Sequence, residues 1–178
     1  MPTPAIRCAT AEDAPPLAAF AARVFPLGCP VTDPSDLESH IASELSPERF
    51  RALIEDPNLL VLLAESSQSI VAYTIAARRS PHPAIPATPG ELRKLYLDPA
   101  HHGTGLADAL LHCALSTLNA EIPRPLWLSV FSGNPRAIAF YKKWGFEVIG
   151  EQIFLVGTDP QKDFLMRRPA SAELIAQY

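Results

Sequence analysis

Across 178 residues, 15 Lys and Arg stand against 19 Asp and Glu; the net charge of −4 excludes a general nucleic-acid binder, which needs a cationic excess. With 48% hydrophobic and 19% charged residues, the chain excludes disorder and suits one domain over residues 1–178. Cys8, Cys29 and Cys113 fit no zinc spacing or disulfide framework, no apolar run approaches the ~18 residues of a membrane span, and no basic leader precedes the first elements, so reduced thiols in a cytoplasmic protein are expected.

In chain order, residues 4–9 read as a strand. Thr10 then caps a helix, with Asp13 three positions on and Pro15–Pro16 in its first turn. That helix runs through AAFAARVF and is followed by a proline-marked loop over 26–34. A second helix is expected over 35–45, and Ser46-Pro47-Glu48 opens a third that runs over 49–55. Leu59–Glu65 is a buried strand, 66–69 a turn, and Ile70–Arg78 its hairpin partner. Pro81, Pro83, Pro86 and Pro89 stiffen an extended loop before the next strand, Glu91–Leu97.

The spacing of Leu106, Ala107, Leu110, Leu111, Ala114, Leu115 and Leu118 predicts a helix over Thr104–Ala120. Leu126–Phe131 is a strand. Asn134 caps a helix that Pro135 opens, running to Trp144 with Gly145 ending it. Phe146–Val156 and Asp163–Arg167 form a closing strand pair; the core ends near 168, and 169–178 carries no assignment. Antiparallel strands first and an α/β unit second predict an α/β (α+β) fold on one mixed sheet.

The segment Glu91–Leu111, ELRKLYLDPAHHGTGLADALL, carries the most chemistry. A strand runs into a turn with Gly103 and Gly105 and then into a helix start. Backbone N–H groups and the positive helix end favour an anion there, above all a phosphate. His101 and His102 lack a third His or a carboxylate at ligand spacing, so no metal is expected. Trp127 and Trp144 read as packing aromatics.

His102-Gly103-Thr104-Gly105-Leu106-Ala107 resembles the Q/R-x-x-G-x-G/A signature of the GCN5-related N-acetyltransferases, with His102 in the Gln/Arg position. Asn134, Ala137, Phe140, Tyr141, Gly145 and Phe146 resemble the family's second motif, N-x-x-A-x-x-(F/L)-Y-x-x-x-G-F. The resemblance covers most of the element order. It implies six to seven strands, about four helices, and a V-shaped splay between the fourth and fifth strands.

It further implies acetyl-CoA as co-substrate. Backbone groups of Leu95, Tyr96 and Leu97 would bind the pantetheine arm, the N–H groups of His102, Gly103, Thr104, Gly105, Leu106 and Ala107 the pyrophosphate, and Asn134 and Tyr141 further parts of the cofactor. Arg136 and Lys143 are read first as solvated surface charges and second as partners of the CoA phosphates.

The implied activity is acetyl transfer to a primary amine by direct attack on the thioester. An amine of pKa about 10.4 must first lose a proton, and the leaving thiolate gains from a proton donor. Tyr141 stands where the resemblance places that donor, and Glu91 at the register of a base; Ser129 or a water chain to solvent is the alternative. Strand alternation puts Glu91 on the face of Leu95 and Leu97. The acceptor, a small-molecule or peptide amine, would be shaped by Phe25–Ser39 and Ser80–Gly90, with Asp33, Asp36, Glu38 and Glu91 as attracting charges. A homodimer is also compatible. A non-catalytic acyl-CoA sensor or interaction module, or a transferase using a longer acyl-CoA, are the competing readings.

Overall fold

The computed structural model describes residues 4–30, 32–86, 88–120 and 123–170. The unassigned tail falls almost entirely outside them. One mixed sheet of seven strands forms the centre: β1 (Ala5–Cys8), β2 (Leu59–Ser66), β3 (Ser69–Ala77), β4 (Gly90–Leu97), β5 (Leu126–Phe131), β6 (Glu147–Val156) and β7 (Asp159–Arg168). Their order across the sheet is β1-β2-β3-β4-β5-β7-β6. Among these strands only the β4–β5 pair is parallel; the other neighbours are antiparallel.

Among the described residues, five α-helices cover the two faces: α1 (Ala14–Val24), α2 (Pro34–Glu44), α3 (Pro47–Glu55), α4 (Leu106–Asn119) and α5 (Pro135–Lys143). β2 shows why two layers are needed. Its apolar run LLVLLA is buried throughout, with Leu59, Val61 and Leu63 in one core and Leu60, Leu62 and Ala64 in the other. The first core is closed by Leu17, Phe20 and Val24 of α1 and Phe50 of α3, the second by Leu110, Leu111, Ala114 and Leu115 of α4. Each fully buried Leu or Phe contributes about 1.5–3 kcal/mol, so both faces need their helices.

β1 is joined to the first helical turn and to β2 electrostatically. The Asp13 carboxylate accepts from the Thr10 N–H at 2.7 Å and its hydroxyl at 3.0 Å, and takes both Nη atoms of Arg7 at 2.7 Å. Arg7 also reaches Glu65 on β2 at 2.8 Å, joining strand, helix start and sheet. The hydrogen bonds from Arg7 hold Asp13 well below the usual carboxylate range. A depressed folded-state pKa contributes stability that is present above the unfolded value, near 3.9, and lost as pH falls below it. Asp13→Asn is expected to cost about 2 kcal/mol at pH 7 in urea unfolding and to remove part of the acid-side loss of stability. An unchanged midpoint at both pH 7 and pH 3 would argue that the cluster is only a surface feature.

β4 and β5 pair at only two positions, Gly90 with Leu126 and Glu91 with Trp127. The contact needs a glycine, because a Cβ at 90 would lie 2.7 Å from Leu126 Cδ2 and 2.9 Å from the Ala77 carbonyl. Beyond Trp127, β5 bonds β7 alone among the described strands and β4 and β5 part, which is the expected V-shaped splay. The proline loop is pinned beside this hinge: Trp127 Nε1 donates to the Ser80 carbonyl at 2.9 Å, and its indole packs on Ile85 and the His82 ring.

Three sequence expectations are corrected. β7 begins at Asp159, not at 163, because Gly157 turns with positive φ and the β6–β7 hairpin is tight. α4 begins at Leu106, not at Thr104, because Gly103 and Gly105 take φ of 74° and 83°, outside helical space. Strand alternation in β4 is broken: Ile75 pairs with Lys94 but Ala76 with Leu92, which leaves Arg93 as a bulge. Leu92, Leu95 and Leu97 therefore share the α4 face. Glu91, opposite Ala77, falls on the other face with Lys94 and Tyr96, not with Leu95 and Leu97.

Candidate active site

The splay opens into two chambers that meet at Leu95, Tyr96, Asn134, Ala137 and Tyr141. The first, of about 430 Å³, lies between the end of β4, the 101–105 turn and the first turns of α4 and α5. Leu95, Tyr96, Leu97, His102, Gly103, Gly105, Ala107, Asn134 and Tyr141 all line it. Two residues of the glycine segment do not. The Leu106 side chain is buried in the core, and the Thr104 hydroxyl turns back onto the His101 carbonyl at 2.8 Å. Both are left with only their backbone N–H to offer.

Gly105 is the N-cap of α4 and has no side chain to spend on the helix's first N–H groups. Those donors and the helix dipole remain available to an anion. His102 departs from the expectation: its backbone N–H donates to the Pro99 carbonyl at 3.1 Å and is spent there. Its side chain instead meets Arg136 of α5, Nη1 to Nδ1 at 2.8 Å. Burial first, then the adjacent guanidinium, pull the His102 pKa down, so a neutral ring accepts from Arg136. The pair holds a cation at the mouth of the glycine turn. Lys143 is engaged elsewhere, with Trp144 Nε1, on Asp108 of α4 at 3.1 and 2.9 Å.

Asn134 caps α5 as expected, its Oδ1 accepting from the Ala137 N–H at 3.1 Å; its amide NH₂ has no hydrogen-bond partner among the described residues. Tyr141 lines both chambers, held edge-on by Phe140 at 5.3 Å and Phe146 at 5.8 Å. Burial raises its pKa above the ordinary phenol value, so it keeps its proton across the neutral range.

The second chamber, of about 350 Å³, lies on the α1 side and is lined by Phe25, Cys29, Glu91, Lys94, Ser129, Gln161 and Asp163 among others. Glu91 stands there, but its Oε2 already accepts from Ser80 Oγ at 2.7 Å and Arg93 Nε at 2.9 Å. Asp163 is a residue that sequence reasoning misses. It projects from β7 diagonally across from Ser129 of β5, 6% exposed, and accepts from the Ser129 hydroxyl. Burial raises its pKa, partly offset by that hydroxyl. The sequence gives no local signal for it, because Asp163 stands in a strand that is largely polar, DPQKDFLMRR.

Asp33, Asp36 and Glu38 line neither chamber. Asp33 caps α2 through the Ser35 N–H at 2.8 Å, and Asp36 accepts from the Thr158 N–H at 2.6 Å to tie α2 to the β6–β7 turn. None of the described residues of the loop over 80–90 lines either chamber; Trp127, which donates to the Ser80 carbonyl, lines the second. Among the described residues no group of three His, Cys, Asp or Glu is placed to hold a metal, and no helix is long and apolar enough to cross a membrane.

A mixed sheet parted between two parallel-paired strands, with a glycine turn feeding a helix on one side and a polar chamber on the other, defines the fold class of the N-acetyltransferases. The profile of the acetyltransferase (GNAT) family matches residues 31–146, and the chain belongs to that family. It is 39% identical over 157 residues to an uncharacterized N-acetyltransferase of Mycobacterium bovis, covering 88% of this chain and 97% of the relative, and equally to one from Mycobacterium tuberculosis. Among solved structures it resembles a PaiA N-acetyltransferase from Thermoplasma acidophilum in complex with coenzyme A, at TM-score 0.78 and 22% identity, over 94% of this chain and 99% of that one. It also resembles the ribosomal-protein-S18-alanine N-acetyltransferase of Escherichia coli, at TM-score 0.69 and 19% identity, over 98% and 99% of the two chains.

Proposed function

We propose that this enzyme transfers an acetyl group from acetyl-CoA to a primary amine by direct attack on the thioester. The observation that carries the reading is the meeting of two chambers at Tyr141, through the gap where β4 leaves β5. A donor enters from the glycine-turn side and an acceptor from the α1 side, with no covalent enzyme intermediate required between them. The coenzyme A bound to the Thermoplasma acidophilum structure supports the choice of donor.

In this reading the pyrophosphate lies on the N–H groups from Gly103 to Ala107, with Arg136 beside it, held by His102. Charge-assisted hydrogen bonds of this kind are about twice as strong as neutral ones. Beyond Glu91 the β5-side edge of β4 has no strand partner among the described residues, which suits the pantetheine arm as an added strand at Leu95, Tyr96 and Leu97.

The acceptor's ammonium gives one proton to a carboxylate of the acceptor chamber, a role we assign to Glu91. The neutral nitrogen attacks the carbonyl carbon; the N–C bond forms and the C–S bond breaks. The Tyr141 hydroxyl gives its proton to the leaving sulfur, and the second N–H proton returns to the tyrosine oxygen. For Glu91 to act as base, the Arg93 ion pair must loosen when the acceptor arrives.

Glu91→Gln is therefore expected to lower kcat/KM by about 10²-fold at pH 7 and to flatten the acidic limb of its pH profile. A rate near wild type with the limb intact would reduce Glu91 to an anchor for Arg93 and the Ser80 loop. Thiol release with an amine panel tests the whole reading: CoA binding without turnover on any amine favours a binding module instead.

A further inference from the structure

Resting on the transferase reading above, we infer that the acceptor is a small aminocarboxylate, its ammonium end received by Asp163 and Ser129 and its carboxylate end by Lys94. Two opposite charges line the acceptor chamber without an ion-pair partner among the described residues. Asp163 is buried and accepts from the Ser129 hydroxyl on one oxygen, so its second oxygen is available. A buried carboxylate without a cation is costly unless a ligand supplies one.

Lys94 is the complementary case. Its ammonium lies 5.9 Å from the Phe25 ring centroid, and Phe25 is backed by the stacked His40 ring at 4.5 Å. The carboxylate whose field it feels, Glu44, is bound to Arg49 at 3.4 Å. Burial lowers the Lys94 pKa, as expected for a cation held away from water.

Cys29 lines the same chamber. Burial, then Asp163 and Asp159, push its thiol up to about 11, while Lys94 pulls the other way. Two other polar groups of the chamber are engaged within the protein. Glu91, the base of the transferase reading, is held by Arg93 until the acceptor arrives, and Gln161 Nε2 donates to Thr32 Oγ1 at 3.1 Å and to Asp159. A chamber of about 350 Å³ with one unmatched anion and one unmatched cation suits a metabolite that carries both charges.

The test is steady-state thiol release with acetyl-CoA on matched pairs: lysine against 1,5-diaminopentane, 4-aminobutyrate against propylamine, and alanine against ethylamine. Wild type is expected to favour the acid of at least one pair by ~10-fold or more in kcat/KM. Lys94→Met should bring that ratio towards one, and Lys94→Arg should restore much of it. Asp163→Asn should raise KM for both members of the pair together. If amines lacking the carboxylate are used as well as the acids, or Lys94→Met lowers both members equally, the inference falls and the transferase reading stands. If folded protein binds CoA by calorimetry and turns over neither series, both fall.

Discussion

Replacing Tyr141 by Phe is expected to lower kcat by about 10²-fold or more while leaving the KM for acetyl-CoA within about threefold. The substitution removes one oxygen and keeps the ring that Phe140 and Phe146 hold edge-on. It therefore separates packing from chemistry. The hydroxyl sits where the two chambers meet, and burial keeps it protonated well past neutrality. A thiolate leaving into this desolvated site without a donor carries its full charge through bond breaking. The cost should be largest with acceptors whose attack is slow, because collapse of the tetrahedral intermediate then reverts more often than it goes forward. The wild-type profile should show no fall from tyrosine ionisation below about pH 10, since the shift is upward from the ordinary value. A Phe variant within about threefold of wild-type kcat, at unchanged thermal stability, would make Tyr141 an aromatic spacer and leave the sulfur to be protonated by water.

Much of the site's frame is legible in the sequence because its signals are local. Asn134-Pro135 and Gly145 bracket α5 through capping chemistry that needs no tertiary partner, and the structure keeps both ends. The run Leu59–Ala64 reads as a strand buried on both sides because it is short, continuously apolar and set off by Asp56-Pro57-Asn58. The glycines of the 103–105 turn declare a backbone feature, and the helix start moves by two residues.

The illegible parts all depend on pairing. Arg93 becomes a bulge because β3 and β4 slip by one between Ile75 and Ala76, and nothing in ELRKLYL announces it. That slip decides which chamber Glu91 enters, so a period-2 reading puts the carboxylate on the wrong face. His102 looks out of place in its motif because its partner, Arg136, stands 34 residues away on α5. The departure from Gln or Arg is met by a guanidinium delivered from elsewhere. Asp163 and Ser129 are likewise joined only by the antiparallel register of β5 and β7. Asp33 and Asp36 show the converse: charges well placed in sequence for an acceptor loop are consumed by a cap and a turn.

Gly105→Val is expected to weaken CoA binding by about 10²-fold, near 2.7 kcal/mol, with a much smaller loss of thermal stability. The residue sits at φ 83°, where a β-branched side chain is a strained outlier. A Cβ at this position would meet no atom within 4 Å, so the protein itself leaves the space open and the restriction is conformational. Relieving that strain rotates the peptide that opens α4, and the N–H groups from Gly105 to Ala107 lose their common aim. The helix body is anchored by Leu110, Leu111 and Leu115 in the core, so folding survives the change. Gly150→Ala is the matched control: its Cβ would also meet nothing within 4 Å, but its φ is not positive. Isothermal titration with CoA should then separate the two variants by roughly the αL penalty plus the lost hydrogen bonds. Equal affinity in both would mean that the anion is held by the Arg136 side chain alone and that the turn is only a connector.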